Sequence, residues 1–147
     1  MDTESLITLA LCPSEVLLKK SDKNTHVEAT LQVHPQCNLI FTRDQQIVTA
    51  NGVVIAHMGA TQRVQEPELT KFIFERSGKK ILGALEDPCT LEGGDFFPLG
   101  RELCFIGCGL RTNDEAVQYM LRHDWFGTSR VAVVRDLYDQ NQDRMHL

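Results

Sequence analysis

Residues 46–57 read QIVTANGVVIAH, with Asn51-Gly52 set between two β-branched runs. Both turn residues tolerate positive φ, so the pair predicts a tight hairpin with strands over Gln46 to Ala50 and Val53 to Met58. Downstream, the loop GATQRVQ leads into EPELTKFIFERSG. There Pro67 suits an early helical position, Leu69, Phe72 and Ile73 recur at helical spacing, and Gly78 supplies a stop. The segment KKILGAL then reads as a buried strand.

The same order of elements begins again. GGDFFPLG and ELCFIG form a second hairpin, TNDEAVQYMLRHD a second helix and RVAVV a further strand. Thr112 followed by Glu115 has the spacing of a capping box, which places the start of that helix. At an offset of 48 residues Asp44 falls on Glu92, Gly52 on Gly100, Gly59 on Gly107 and Arg63 on Arg111. The apolar helix positions Leu69, Phe72 and Ile73 fall on Val117, Met120 and Leu121. An internal repeat of this period implies a quasi-symmetric array. The copies run over roughly 38–86 and 87–135, and the tail DLYDQNQDRMHL only begins a third. Upstream, SEVLLKK and VEATLQV alternate as strands around the polar turn SDKNT.

Composition narrows the partners. The chain has 147 residues, 42% hydrophobic and 24% charged, which is about one ordinary globular domain. A net charge of -5 without a Lys/Arg block leaves no footprint for nucleic acid and favours a cationic small molecule. The absence of an apolar run of membrane-spanning length and the acidic, short-patched start MDTESLITLALCPSE argue against a membrane span or signal peptide, and imply a cytoplasmic protein. Cys12, Cys37, Cys89, Cys104 and Cys108 are odd in number and irregular in spacing, without a zinc pattern, and read as reduced thiols. His26, His34, His57 and His123 are scattered without the carboxylate spacing of a two-metal site, so neither a metal nor another cofactor is called for.

Each copy brings an acid to the start of its hairpin and an arginine to the loop before its helix. An arginine beside a helix N-terminus adds charge to an already positive potential, which makes a carboxylate-binding corner. The plainer alternative is a surface arginine paired with a nearby acid, Glu66 for Arg63 or Asp114 for Arg111. In LEGGD, Glu92 and Asp95 bracket two glycines. That pattern serves either as a polar turn or as a carboxylate held where main chain approaches a ligand closely.

Five strings, PQCNLIFTRD, ATQRVQE, LEGGD, GLRTN and the terminal MHL, taken in order, resemble the arginine deiminases of the guanidino-modifying (amidinotransferase) superfamily, from about Asn38 to the last residue. The resemblance implies an α/β fold, a pseudo-fivefold propeller of ββαβ units that this chain fills only in part. It implies a hydrolase converting L-arginine to citrulline and ammonia through a cysteine thiouronium intermediate. Asp44 corresponds to the carboxylate that grips the guanidinium; Asn38, Arg63 and Arg111 correspond to residues binding the amino-acid end, and Phe41 packs near the aliphatic part. Glu92 corresponds to the acid paired with the catalytic histidine, His146 to that histidine, and Asp95 to an anchor behind it.

The family's nucleophilic cysteine lies far beyond the histidine motif, and none of the five cysteines, Cys37 included, occupies its place in order. The chain is therefore expected to be inactive by itself. Related enzymes act on agmatine or methylated arginines, or transfer the amidino group; two arginines poised for a carboxylate favour free arginine. Two further readings compete. An incomplete array exposing strand edges and apolar faces would associate into a homo-oligomer as a binding module. An independent cysteine hydrolase would show an unusually reactive thiol.

Overall fold

A computed structural model describes residues 1–23, 25–138 and 146. The chain divides into two compact units, residues 1–37 and 38–147. In the first, helix α1 (Thr3–Leu11) precedes an antiparallel hairpin of β1 (Ser14–Lys20) and β2 (Val27–Val33), paired from Ser14↔Val33 to Lys20↔Val27. The hairpin agrees with the sequence pattern. The helix was not anticipated: Asp2 caps it by accepting from Ser5 N at 2.8 Å, and Pro13 follows its end.

The second unit carries two three-stranded sheets of identical connectivity among its described residues. In one, β3 (Gln46–Val48) pairs antiparallel with β4 (Val53–Ile55), helix α2 (Glu66–Arg76) crosses over, and β5 (Ile81–Ala84) returns parallel to β4. In the other, β6 (Phe96–Pro98) pairs antiparallel with β7 (Leu103–Cys108), helix α3 (Asp114–Arg122) crosses over, and β8 (Arg130–Arg135) returns parallel to β7. Parallel strands need such a crossover, whereas the antiparallel pairs close through tight turns at Gly52 and Gly100, both at positive φ. The sheets meet through a bridge between His57 and Leu91. One apolar core runs through both, including Ile47, Val54, Leu91, Ile106, Val117 and Met120.

The fold is thus α/β with small sheets; a closed propeller is not displayed. Strands β3 to β6 are shorter than the sequence suggests, and Gly93–Asp95 forms a 3-10 turn rather than the start of β6. The capping box is displaced by one residue. Asn113, not Thr112, caps α3, accepting from Ala116 N at 2.9 Å, because the Thr112 hydroxyl is engaged with Asp95. The apolar faces of the helices also diverge. In α3, Ala116, Val117 and Met120 are fully buried, and Leu121 is exposed. In α2, Phe72 and Ile73 are 53% and 51% exposed, because this helix is anchored instead through its first turn, where Glu66 and Pro67 are buried. Most of the tail expected to begin a third repeat, residues 139–145 and 147, lies outside the described residues.

Candidate active site

The loop ahead of β3, the 3-10 turn Thr61–Arg63, the Gly93–Asp95 turn and the loop before α3 converge in the second unit. Asp44 leads into β3 and is buried. Its carbonyl accepts from Gly93 N at 3.0 Å, which ties the two acid-bearing segments together. Arg63, buried at the end of its 3-10 turn, donates from Nη1 to Asp44 Oδ2 at 2.9 Å. The other edge of its guanidinium meets Glu66: Nε donates at 3.0 Å and Nη2 at 2.8 Å. Burial alone would disfavour the charged guanidinium, but Glu66 and Asp44 raise its pKa, so the cation is permanent.

Glu92 is 0% exposed. Its Oε1 accepts from Gly59 N at 3.0 Å and lies 3.9 Å from Arg111 Nη1; its Oε2 lies 3.8 Å from Arg63 Nη1 and accepts no hydrogen bond among the described residues. Burial pushes the Glu92 carboxyl up from its ordinary value, more than Arg111, the Gly59 N–H and Arg63 lower it. Asp95 Oδ2 accepts from the Thr112 hydroxyl at 2.5 Å. Its Oδ1 lies 3.3 Å from His146 Nδ1, and His146 Nε2 lies 3.5 Å from Asp44 Oδ1 and 3.9 Å from Glu92 Oε2. Asp95 is therefore the acid nearest the imidazole. Its charge, supported by Asp44 and Glu92, raises the His146 pKa against the opposing effect of burial.

The Gly-Gly pair has a separate use for each member. A Cβ on Gly93 would strike the carbonyls of Arg43 and Gln46, whereas one on Gly94 would strike the His146 ring, 2.6 Å from Nε2. The first glycine lets two backbone segments close, and the second lets the imidazole lie flat against the turn.

Of the residues singled out in the sequence, Asp44, Arg63, Glu92, Asp95, Arg111 and His146 share this one cluster. Phe41 is 52% exposed at its edge, with the Arg63 guanidinium 5.9 Å from its ring centroid. Asn38 touches the cluster through its backbone, donating from N to Glu66 Oε1 at 3.1 Å. Sequence reading missed Glu66 as a member: it is 0% exposed and also accepts from Gln45 Nε2 at 2.7 Å. The surface-pair alternative named Glu66 correctly as a partner of Arg63, but the pair is buried. Asp114, the corresponding acid in the second copy, is exposed and pairs with Arg135 instead.

Asp44, Glu92 and His146 each offer one ligand atom within 4.8 Å of the others, the spacing of a metal site. Arg63 Nη1 stands against the same two acids, and its repulsion is twice as strong for a divalent ion as for a monocation. The thiols of this unit are held neutral. Burial raises Cys89, Cys104 and Cys108, the last pushed up to about 11 with Asp114 adding to the effect.

Small α/β units that gather buried acids, two arginines and a partly buried histidine define a class of protein with a densely charged polar centre. Comparison with known proteins gives that class a family. The model of the arginine deiminase family matches residues 4–147, and the chain belongs to that family. It is 32% identical over 100 residues to an arginine deiminase of Borrelia recurrentis, covering 65% of this chain and 24% of that protein. A dimethylarginine dimethylaminohydrolase from Pseudomonas aeruginosa, solved as a C249S mutant with citrulline, superposes with a TM-score of 0.57 at 30% identity, over 68% of this chain and 39% of that one. The N-terminal domain of the cyanobacterial arginine dihydrolase ArgZ, a C264S mutant bound to substrate, gives 0.59 at 27% identity, over 69% and 36%. The chain thus spans 24% of the length of that curated deiminase. Among the described residues no helix is long and apolar enough to cross a membrane.

Proposed function

We propose that this chain forms the guanidinium-gripping and proton-transferring side of an arginine deiminase-type site, with L-arginine as ligand. One observation carries the reading: four buried carboxylates gather in one centre, Asp44, Glu66 and Glu92 against the guanidiniums of Arg63 and Arg111, and Asp95 against the imidazole of His146. Burial already promotes protonation at Glu92, and an added cation would instead hold that carboxylate ionised. A ligand guanidinium is planar and matches carboxylates by paired hydrogen bonds. Arginines in the same cluster suit a ligand that also carries a carboxylate, which favours arginine over agmatine.

In this reading Asp44 orients the ligand guanidinium, while Asn38, Arg63 and Arg111 meet its amino-acid end and Phe41 covers its aliphatic part. The guanidinium carbon is a poor electrophile, so hydrolysis requires a thiolate. The thiolate adds to that carbon, ammonia leaves with a proton from His146, and water, deprotonated by the same imidazole, displaces the thiolate to give citrulline. Glu92 and Asp95 sustain the basicity this histidine needs. The neutral thiols of Cys89, Cys104 and Cys108 support the further statement that the chain alone binds without turnover. The two ββαβ units, 38–86 and 87–135, are then parts of a pseudo-fivefold propeller, within a partial catalytic domain spanning 1–147.

Calorimetry with L-arginine, beside a citrulline assay on the same preparation, tests the proposal. Heat of binding without citrulline is expected; absence of binding removes the ligand assignment, and turnover removes the division of labour. A second reading, self-association, is favoured by the exposed Phe72 and Ile73 of α2. Light scattering is expected to show a mass that grows with concentration and returns to the monomer in Phe72→Ser/Ile73→Ser; a monomer throughout would reject it.

A further inference from the structure

The carboxylate assigned to the ligand's guanidinium already holds one. Arg63 Nη1 donates to Asp44 Oδ2 at 2.9 Å, in a pair buried on both sides. The opposite edge of the guanidinium is clamped by Glu66, itself fixed by Gln45 Nε2 at 2.7 Å and by the backbone N–H of Asn38 at 3.1 Å. A planar fork of the protein's own thus stands where the proposed ligand's fork would bind.

We propose that Arg63 is a resident competitor for Asp44, and that a guanidino acid enters by exchange of ion pairs. The ligand guanidinium replaces Arg63 Nη1 at Asp44, and the ligand carboxylate takes up the Nη1 that Asp44 has released. This inference rests on the function proposed above and assigns Arg63 a part in specificity that carboxylate binding alone does not give. Separating a buried pair is costly when either charge is left alone. A ligand bearing both charges leaves neither alone, and Glu66 keeps the rest of the Arg63 guanidinium paired throughout. A guanidine without a carboxylate would take Asp44 and leave Nη1 only its longer contact with Glu92 Oε2, 3.8 Å away. The site therefore rejects such ligands through competition by Arg63, in addition to the contact they lack.

The two accounts diverge when Arg63 is neutralised. If Arg63 only received a carboxylate, methylguanidine would be indifferent to its loss. If Arg63 competes for Asp44, methylguanidine would bind better without it. Arg63→Gln leaves Glu66 buried without its cation, so the paired variant Arg63→Gln/Glu66→Gln is prepared alongside it, with folding checked by circular dichroism. Calorimetry on the 147-residue chain is expected to show methylguanidine binding at least tenfold tighter to the double variant than to the parent, and L-arginine at least tenfold weaker. Methylguanidine binding that is unchanged or weaker in the folded double variant overturns the exchange. A parent that fails to bind L-arginine would count against the proposed function instead, because the methylguanidine comparison does not depend on that ligand.

Discussion

Gly94 gives the site its sharpest test at the scale of one residue. The His146 ring occupies the space a Cβ would take, with Cε1 and Cδ2 each 2.7 Å from it, and a side-chain ring gives way more easily than backbone. Gly94→Ala is expected to leave stability within about 1 kcal/mol of the parent. It should also push the imidazole off Asp95, so that the His146 pKa falls back toward its ordinary value; an NMR titration of the histidine measures it. Gly93→Ala is expected to behave oppositely, because its Cβ would meet the fixed carbonyls of Arg43 and Gln46, at a cost of about 3 kcal/mol seen in a thermal melt. Equal behaviour of the two variants would mean that the turn does not cradle His146. The pairing of acids with glycines in LEGGD was legible in the sequence. Which glycine faced backbone and which faced the histidine was not, because both encounters are made by segments far away in the chain.

At the scale of the element, α3 separates two tasks that its sequence merges. Thr112 with Glu115 and Asn113 with Ala116 both have N-cap spacing, and local pattern does not reveal which oxygen turns inward. Asn113 caps the helix, accepts from Thr90 N at 3.1 Å, and donates from Nδ2 to Pro88 O at 2.7 Å. Thr112 bridges Asp95 and the Glu92 N–H. Asn113→Ala should therefore cost about 2 kcal/mol and lower the midpoint of thermal unfolding. Thr112→Val should spare α3 and instead weaken ligand binding, with the helix content checked by circular dichroism and the affinity by calorimetry. A loss of helix in the threonine variant would restore the capping box. The hairpins and crossover strands were readable beforehand because turn chemistry and β-branched runs act locally. Glu66 was not, because an acid in the first turn of a helix is ordinary, and only Gln45, Arg63 and Asn38, brought together by the fold, make it a member of the cluster. The exposed face of α2 shows the same limit from the other side, for helical spacing of Leu69, Phe72 and Ile73 names a stripe without saying what covers it.

Across the whole molecule, the buried cluster sets how stability responds to pH. Asp95, with Asp44 and Glu92, raises His146 although burial lowers it, so this contribution is complete below the ordinary imidazole value of 6.5 and is lost as pH rises through the raised one. Burial raises Glu92 against Arg111, so the fold is penalised as that carboxyl ionises above its ordinary 4.5. Glu66 runs the other way. Burial would raise it, but the hydrogen bonds from Arg63 and Gln45 lower it further, so its contribution is present above 4.5 and disappears as pH falls through the depressed value. Thermal melts from acid to alkaline pH are therefore expected to peak in the weakly acidic window between 4.5 and 6.5. His146→Gln should flatten the alkaline limb, and Glu66→Gln the acidic one. A midpoint that climbs steadily into alkaline pH would mean that His146 and Glu92 do not face the same centre. Because a bound guanidinium opposes protonation of both groups, saturating L-arginine should release protons on binding and move the stability maximum upward in pH; a ligand that left the maximum in place would be binding somewhere other than between these carboxylates.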